Sequence, residues 1–483
     1  MSLRHFVQLC ALIAFITGGC RTAPQAGGTQ PSLLPTAPSP VSDSAPNVEQ
    51  PTIIKAAFEE PLPTLGEAKK TDLNTQSELS LSALIEEVQR RNPSVQAMAA
   101  AWQAAVQRYP QVVSLDDPTF TAMAAPASFN SDSVESAYAL QAGQKFPWFG
   151  KRDARGRMAN AEASVAFHDL EDSRVRLMQA TRVSFLDYYL VNRQLELNQQ
   201  NAAVLRQFHN TAQSKYNANQ ATQQDVLQAD VELAQLERRG IELNRMAKVA
   251  TARINTLLRE EPYTPLPAPP KMLNVPSDQL DPQALQQLAL NQRPDLQALA
   301  AKIRSEQAAV TLACKDYYPD VEVFGRYDTF WQPASTQDEL RGQVGVNVNV
   351  PLYKGKLNAA VNEAMFRVNQ RRAEFEQRQL DIQYEVASAY EQVEESRQTL
   401  QLYTEKLVPA ATQNVAAARS NYDASKMSFL DLASAQRQLI EIREKQQESL
   451  VAYYSRLAEL TRVVGGAIVP TVPSELFPAP VTQ

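Results

Sequence analysis

The residue types that carry most protein chemistry are few in this sequence. The three histidines are His5, His168 and His209, and the last two stand far apart without Cys or Glu partners at the spacing of a metal site. Asp116 and Asp117 are adjacent, so their carboxylates point apart at the turn before a proline. No Ser/His/Asp set, phosphate-binding loop or dinucleotide fingerprint is present. We therefore expect no enzyme activity, no metal site and no cofactor.

Composition narrows the fold class. The chain has 15 glycines among 483 residues, less than half of the usual frequency of about 7%. A chain with so few glycines has few tight turns, which argues against all-β sandwiches and propellers. The net charge of −6 supplies no basic field for nucleic acid. The composition therefore favours a largely helical protein with no nucleic-acid partner.

The N-terminus indicates export. Residues 1–19 combine a polar start with the short apolar run Phe6–Ile16, which is too short to span a bilayer. Gly18 and Gly19 precede Cys20, an arrangement that resembles a bacterial lipoprotein box, so we expect Cys20 to be acylated. The alternative is an ordinary signal peptide with a chance cysteine. If the signal is removed and Cys20 is acylated, only Cys314 remains, and a mature chain then has no cysteine pair for a disulfide.

The rest of the chain divides by composition and by repetition. Residues 20–78 carry nine prolines and are expected to form an extended tether. Two similar segments, 79–261 and 283–465, flank a connector at 262–282 that holds seven prolines and cannot be helical. A C-terminal tail follows at 466–483.

Three collinear matches show that the two segments are copies of one unit. The offset between matched positions is 201 near the start, 204 to 205 in the middle and 206 near the end. Chance similarity does not preserve order and spacing together. The matched pairs are Asn92-Pro93 with Arg293-Pro294, Pro147 with Pro351, Gly150 with Gly355, Tyr216 with Tyr422, and Asp225 with Asp431.

Within each copy the pattern predicts a helix, two strands and a very long helical stretch. Glycine and proline are absent from 157–239, 356–408 and 410–464, and good helix formers dominate there. A helix of about 60 residues is about 90 Å long. Helices of that length belong to coiled coils or to helical tunnels.

The short segments between the helices alternate with a period of two. Val344, Val346 and Val348 alternate with polar residues or glycine, and so do Val321 and Val323. This pattern is typical of an outer-membrane strand, although a half-buried soluble strand gives the same alternation. The strands are long enough to cross a bilayer when tilted, and polar loops at 127–136 and 331–340 join them. Aromatic residues at their ends are Phe146, Trp148, Phe149, Tyr317, Tyr318, Trp331 and Tyr353.

Four strands cannot close a transmembrane barrel, since the smallest bacterial barrels have eight. An open sheet edge cannot face lipid, because its backbone groups find no partner there. If these strands span a membrane, several chains must combine them, and three chains supply twelve strands.

The duplicated motifs resemble those of the outer-membrane factor family typified by TolC, over residues 79 to 464. The resemblance implies a mainly α fold with a small β part: a homotrimer whose twelve-stranded outer-membrane β-barrel continues into a long α-helical periplasmic barrel. It also implies an exit duct that docks a periplasmic adaptor and an inner-membrane pump of the RND type. The segment from Pro147 to Arg152 is similar to the cation-efflux branch of the family.

The resemblance extends to particular residues. Tyr216 and Tyr422 match the tip tyrosines, although Asn219 and Ser425 stand where members of the family usually have glycine. Asp431 matches an aspartate that faces the pore, and three copies would form a ring that favours cations. The alternative is that Asp225 and Asp431 only cap the helices that follow; capping is the favoured interpretation for Asp225.

Other expected features surround the strands. Pro147, Gly150, Pro351 and Gly355 are expected to mark the turns from barrel to helix. A basic cluster, namely Lys151, Arg152, Arg155 and Arg157, is expected at the periplasmic rim, where cations meet headgroups and water.

Three hypotheses for the function follow. The first is a passive outer-membrane exit duct of a tripartite efflux system, gated at its periplasmic tip, for heavy-metal cations or drugs. The second is the outer-membrane duct of type I protein secretion. The third, of a different class, is a periplasmic coiled-coil adaptor lipoprotein without a pore.

Overall fold

The computed structural model describes residues 78–129, 137–273, 280–329, 342–424 and 426–466. The export signal with Cys20, the tether up to residue 77, most of both interstrand loops, Trp331 and the C-terminal tail lie outside the described residues. The described residues form two compact units. Residues 113–155 and 307–365 make the strand unit, and the others make the helical unit.

The elements follow one another in the same order in both copies, and the prediction of a mainly α fold with a small β part is confirmed. The first copy contains α1 (Leu81–Arg91), α2 (Pro93–Val106), α3 (Arg108–Val113), β1 (Thr119–Ala124), β2 (Tyr138–Phe146), α4 (Lys151–Asn217) and α5 (Gln223–Leu257). The second contains α6 (Pro282–Gln292), α7 (Pro294–Lys315), β3 (Val321–Asp328), β4 (Gly342–Val348), α8 (Lys354–Leu402), a π-turn (Tyr403–Leu407), α9 (Val408–Asp423) and α10 (Phe429–Val463).

Each copy opens with two helices joined at a proline. A proline holds the preceding residue in extended backbone and suits the first helical position, where no N–H donor is needed. Asn92 is accordingly extended, and its side chain accepts a hydrogen bond from the Ser94 N–H at 3.0 Å. Arg293 has nearly the same backbone, with φ −63° and ψ 123°. The Asn-Pro and Arg-Pro motifs thus mark equivalent helix joints.

The second of these joints carries a buried ion cluster. Arg293 is only 4% exposed, and its guanidinium binds the carboxylates of Asp295, at 2.8 Å, and Glu385. Arg378 bridges the same two carboxylates at 2.7 and 2.8 Å. Burial raises the pKa of both acids, but hydrogen bonds and charge from the two arginines outweigh it, so that each pKa lies below its ordinary value.

The strands form one antiparallel sheet in the order β1-β2-β3-β4. The central pairing, between β2 and β3, joins the two copies, with Ala142 opposite Gly325. Strands β1 and β4 stand at the two edges of the sheet.

The register separates the sheet into an apolar and a polar face. Val346 lies opposite Val323, and side chains alternate between faces along each strand. Polar residues such as Glu322, Arg326 and Asn347 occupy the other face, where Glu322 accepts a hydrogen bond from Asn347. The apolar side chains are exposed: Phe120 80%, Leu140 55%, Val323 41%, Val344 85%, Val346 53% and Val348 45%. No described part of the chain covers this face.

The long helical runs are divided at the expected tips. Helix α4 ends at Asn217 and α5 begins at Gln223, while α9 ends at Asp423 and α10 begins at Phe429. Pro409, in contrast, does not end its helix; it lies near the start of α9, directly after the π-turn. A π-turn next to a proline is a recognised cause of helix bending.

Two apolar clusters hold the helical unit together. The large apolar cluster is built around Leu84, Phe185, Ile254, Ile382 and Leu457. The tip cluster has as buried members Leu205, Phe208, Ala212, Val226, Ala229, Ala418, Tyr422, Phe429, Leu432, Ala433 and Ala435.

The described start of the proline-rich connector, residues 262–273, is fixed by its carbonyl groups. The Asn255 amide donates to the carbonyls of Pro262 and Thr264, at 3.0 and 2.8 Å. The Tyr188 hydroxyl donates to the Pro267 carbonyl at 3.1 Å. A proline has a carbonyl acceptor but no N–H group that needs a partner. The connector can therefore pack on the helices without regular main-chain hydrogen bonds of its own.

Replacing Arg293 with Met is expected to lower the free energy of unfolding by about 3 kcal/mol, because two half-buried carboxylates lose the buried arginine that binds them. Thermal unfolding in detergent, followed by circular dichroism, measures the loss. The control is Arg174→Met, which breaks an exposed one-turn pair with Glu171 and should cost less than about 1 kcal/mol. Equal losses in the two variants would contradict the prediction.

The pH dependence follows from the lowered pKa values of Asp295 and Glu385. The cluster contributes fully above the ordinary pKa values of 3.8 and 4.5, and its contribution is lost as the pH falls through the lowered values. The wild type should therefore lose stability more steeply in this acid range than Arg293→Met.

Candidate functional site

The four residues predicted at the tip lie at two helix-to-helix turns. Tyr216 stands at the end of α4, and Asp225 lies in the first turn of α5; we call this helix pair the first hairpin. Tyr422 stands at the end of α9, and Asp431 lies in the first turn of α10, in the second hairpin. The tip cluster contains residues from all four of these helices, so the structure brings the two turns together.

The first turn reverses the chain through a left-handed residue. Asn219 has φ +56°, its N–H bonds to the Tyr216 carbonyl at 2.9 Å, and the Gln220 N–H bonds to the Lys215 carbonyl at 2.8 Å. This pair of bonds ends many helices at a glycine or an asparagine. Asparagine therefore serves here in place of glycine.

The second turn contains the equivalent of the bond that reaches five residues back. The Lys426 N–H bonds to the Asn421 carbonyl at 2.8 Å, as the Gln220 N–H does to Lys215 in the first turn. Ser425, which would occupy the left-handed position, lies outside the described residues.

Both aspartates take part in capping the helix that follows. The Thr222 N–H bonds to the Asp225 carboxylate at 3.4 Å. The Ser428 hydroxyl donates to the Asp431 carboxylate at 2.7 Å, and the Asp431 N–H donates back to that hydroxyl oxygen at 3.3 Å. This reciprocal pattern satisfies donors that a helix start leaves free.

Capping does not bury Asp431. Its side chain is exposed, as is Ser434 one turn further along α10, whereas Asp225 is partly buried. A carboxylate can accept several hydrogen bonds at once, so capping leaves Asp431 with free acceptor capacity on the solvent side.

The two tip tyrosines differ in burial. Tyr422 is 4% exposed and packs edge-on against Phe429 with ring centroids 5.7 Å apart, whereas Tyr216 is 40% exposed. Burial, and then the charges of Asp225 and Asp423, raise the pKa of Tyr422. The Tyr422 hydroxyl is buried without a hydrogen-bond partner among the described residues.

Lys215 fastens the first hairpin to the second. Its ammonium lies 4.3 Å from the centre of the Tyr422 ring. It also donates to the main-chain carbonyls of Tyr422 and, at 3.3 Å, Asp423. These are among the carbonyls that the end of α9 leaves without helical partners, where a cation is favourable.

The sequence prediction did not include Lys215. The signal that was available is the comparison of the copies, because the position equivalent to Lys215 at the offset of 206 is Asn421. The two copies therefore differ at this position: a lysine precedes Tyr216, whereas an asparagine precedes Tyr422. Duplication alone does not explain this difference.

The turns after the second strand of each copy are not equivalent. Gly150 has φ +84°, a backbone that other residues rarely adopt, and a Cβ there would lie 3.3 Å from Lys315 Cε. Gly355 is the second residue of α8, and a Cβ there would meet nothing within 4 Å. Pro147 and Pro351 both stand just after a strand, in non-helical backbone. Only the first turn therefore has a conformational need for its glycine.

The expectation that Lys151 meets headgroups and water is wrong. Lys151 is 4% exposed and binds Asp320 at 2.9 Å, Asp316 at 3.3 Å and the Tyr318 carbonyl at 3.2 Å. Its charge is used to hold the start of β3 to the start of α4. Arg152 and Arg157 remain exposed and Arg155 is partly exposed.

The aromatic residues beside these turns fall into two groups. Trp148 stacks on Tyr318 with centroids 5.4 Å apart and planes 9° from parallel. Phe149 and Tyr353 are 85% and 80% exposed. The first pair supports the turn, and the second presents aromatic surface to the surroundings.

The histidines have packing partners. His209 lies 3.2 Å from the Asp230 carboxylate, within the first hairpin. His168 stacks edge-on against Phe167, and burial followed by the charge of Arg304 lowers its pKa. Among the described residues, no three His, Cys, Asp or Glu side chains are grouped so that they could hold a metal ion. No described helix combines the length and the apolar character needed to cross a bilayer.

Comparison with known proteins shows what this chain is similar to. Residues 285–466 match the family model for Outer membrane efflux protein. A curated relative, the cobalt-zinc-cadmium resistance protein CzcC of Cupriavidus metallidurans, is 23% identical over 321 residues, which are 65% of this chain and 74% of the relative. Residues 285–466, the second copy of the repeat, therefore carry an Outer membrane efflux protein domain.

Solved structures of outer membrane channels share the fold of this chain. The channel CusC is similar with a TM-score of 0.68 and 15% identity, over 83% of this chain and 95% of CusC. The outer membrane protein VceC of Vibrio cholerae is similar with a TM-score of 0.66 and 18% identity, over 80% of this chain and 96% of VceC.

Lys215→Met is expected to loosen the end of α9 by about 1–2 kcal/mol, because two charge-assisted hydrogen bonds and a cation–π contact are lost. Hydrogen exchange of the amides of residues 420–424, measured by mass spectrometry, should become faster. Lys426→Met is the control, since Lys426 is exposed at the same turn. If both variants exchange like the wild type, Lys215 does not fasten the hairpins.

Proposed function

We propose that this protein is the exit duct of a tripartite efflux system, a passive conduit through the outer membrane with a gate at its periplasmic tip. The observation that carries the proposal is the sheet, whose apolar face lies uncovered in the described chain while its polar face holds Glu322, Arg326 and Asn347. A half-buried soluble strand would have its apolar face packed. An uncovered apolar face opposite a polar one suits lipid on one side and a water-filled lumen on the other.

The sheet also supports a homotrimer. Its edge strands β1 and β4 each have one paired neighbour in the chain, and unpaired backbone groups in lipid cost several kcal/mol each. Pairing β4 of one copy with β1 of the next, three times over, gives a closed barrel of twelve strands. The long helices of the same copies would then continue the conduit as a periplasmic barrel.

Heavy-metal cations are the proposed substrate class. The similarity to a cobalt-zinc-cadmium resistance protein supports it, and so does the exposed carboxylate of Asp431 near the turn of the second hairpin. Three such carboxylates around a narrow aqueous passage attract cations and repel anions. Energy for transport would come from an inner-membrane pump of the RND type, reached through a periplasmic adaptor that docks at the tip.

The gate is proposed at the two hairpin turns, with Tyr216, Asp225, Tyr422 and Asp431 as its residues. Opening requires the hairpins to move relative to one another, a change of packing between helices. Such a movement must either break the contacts between Lys215 and α9 or move Lys215 together with α9.

Asp431→Asn tests whether this residue lines the gate. Ser428 is the N-cap residue of α10 and keeps its bond from the main-chain N–H of residue 431. An asparagine side-chain oxygen can still accept from the Ser428 hydroxyl, so the variant removes the charge and keeps the cap. Conductance of the purified oligomer in a planar bilayer is expected to show lower cation selectivity and weaker block by divalent cations. Asp225→Asn is the matched comparison, and because Asp225 is partly buried while Asp431 is exposed, it should reduce both less than Asp431→Asn does.

Two results count against this proposal. If Asp431→Asn conducts with wild-type selectivity and divalent block, Asp431 is a cap only. A detergent-solubilised species with the mass of one chain, or a wild type without conductance, excludes the exit duct itself.

The lipid anchor is a separate proposal. Cys20→Ser is expected to abolish incorporation of labelled palmitate, because acylation requires the thiol that follows Gly19. Cys314→Ser should retain the label. Label retained in Cys20→Ser refutes the lipoprotein interpretation without touching the proposed channel.

A further inference from the structure

The two copies differ in the length of one helical stretch. Lys151, at the start of α4, matches Lys356 at an offset of 205, whereas Tyr216, at the end of α4, matches Tyr422 at an offset of 206. The second copy therefore contains one additional residue between the barrel turn and the tip.

The π-turn accommodates that residue. In the first copy α4 runs without interruption from Lys151 to Asn217. In the second, the Val408 N–H bonds to the Tyr403 carbonyl, one residue further back than in an α-helix, which is how a helix takes up one extra residue. Pro409 follows directly and has no N–H to donate. The equivalent of Pro409 at the offset of 206 is Ala203, inside α4.

The π-turn lies between the two apolar clusters. On α8 the last member of the large apolar cluster is Leu400, and on α9 the first residue packed in the tip cluster is Val415. The other three long helices show the same gap at the same level. The segments in neither cluster, which we call the middle layer, are 191–203, 237–249, 401–414 and 436–449.

Contacts in the middle layer are mixed. Val191, Leu243 and Leu439 are buried apolar residues, while Gln194 bonds to Glu448 at 3.3 Å and Arg239 pairs with Glu444 at 3.5 Å. The π-turn itself has no buried residue and touches α10 through an exposed hydrogen bond of 3.3 Å between Thr404 and Gln446. An exposed polar contact can exchange for water at little cost, whereas displacing packed apolar side chains costs several kcal/mol.

The middle layer also leaves buried polar atoms unsatisfied. Asn201 is 3% exposed and its side-chain nitrogen has no hydrogen-bond partner among the described residues, and the same holds for the side-chain oxygen of Asn198. Such atoms reduce the stability of the present arrangement and lower the cost of leaving it.

We propose that the π-turn Tyr403–Leu407 is the hinge on which α9 turns relative to α8, so that the tip of the second hairpin moves while both apolar clusters stay intact. This rests on the proposed gate and gives it an asymmetric mechanism. The hinge belongs to the second copy alone, because α4 of the first copy runs without interruption.

The experiment compares local opening within one protein. In the purified full-length oligomer in lipid nanodiscs, amides of residues 403–408 are expected to exchange hydrogen about tenfold faster than those of the equivalent segment 197–202. A variant that deletes Glu405 and carries Pro409→Ala restores the spacing of the first copy. Exchange at the former π-turn should slow to the rate of α4, and the time spent in the high-conductance state should fall at least about threefold.

Glu405→Ala is the control, because it removes the same exposed side chain and keeps the chain length. It should behave like the wild type in both measurements. The hinge is overturned if residues 403–408 exchange no faster than 197–202, a comparison that needs only wild-type protein. It is also overturned if the deletion slows exchange without changing the high-conductance fraction, or if Glu405→Ala reproduces the deletion. Loss of the proposed channel would show instead as a wild type without conductance, whatever its exchange rates.

Discussion

Every main-chain N–H and C=O group of a strand needs a partner, and this requirement shapes the molecule. The sheet satisfies it between β1 and β4 but leaves one edge of each of these strands open. In water such an edge is tolerable, while in lipid it is not. With its apolar face uncovered as well, the sheet suits a larger closed structure, and the proposed trimer would bring together enough strands to close it.

The helical unit consists of long helices, and the proposed gate requires its two hairpins to move relative to one another. A single apolar seam along four long helices would make them rigid. Here the apolar contacts are divided into two clusters, and the layer between them mixes buried apolar residues such as Leu243 with polar contacts. Duplication provides two hairpins of the same design, and small departures from it set them apart: Lys215 against Asn421, Tyr216 exposed against Tyr422 buried, and a π-turn in the second hairpin only.

Much of the fold could be predicted because its signals are local. Helix-forming runs free of glycine and proline, period-two strands and proline-marked joints depend on residues near one another in sequence. The hairpin turns were located by their tyrosines and aspartates for the same reason. The environment of Lys151 was predicted wrongly, because its partners Asp316 and Asp320 belong to the other copy, far along the chain. The contacts of Lys215 with the carbonyls of α9 were not predicted, since no sequence pattern marks a main-chain acceptor across two hairpins.

The sequence by itself determined the duplication, the order of helices and strands, and the need for several chains if the strands span a membrane, because these follow from periodicity, composition and the number of strands. Only the tertiary structure decided which face of the sheet is apolar across all four strands, since that depends on register. It also decided that Tyr422 is buried while Tyr216 is not, and that the extra residue of the second copy is taken up at Tyr403–Leu407. A sequence offset records that a residue was gained, but where a helix absorbs it depends on which turn has the fewest packed neighbours to displace.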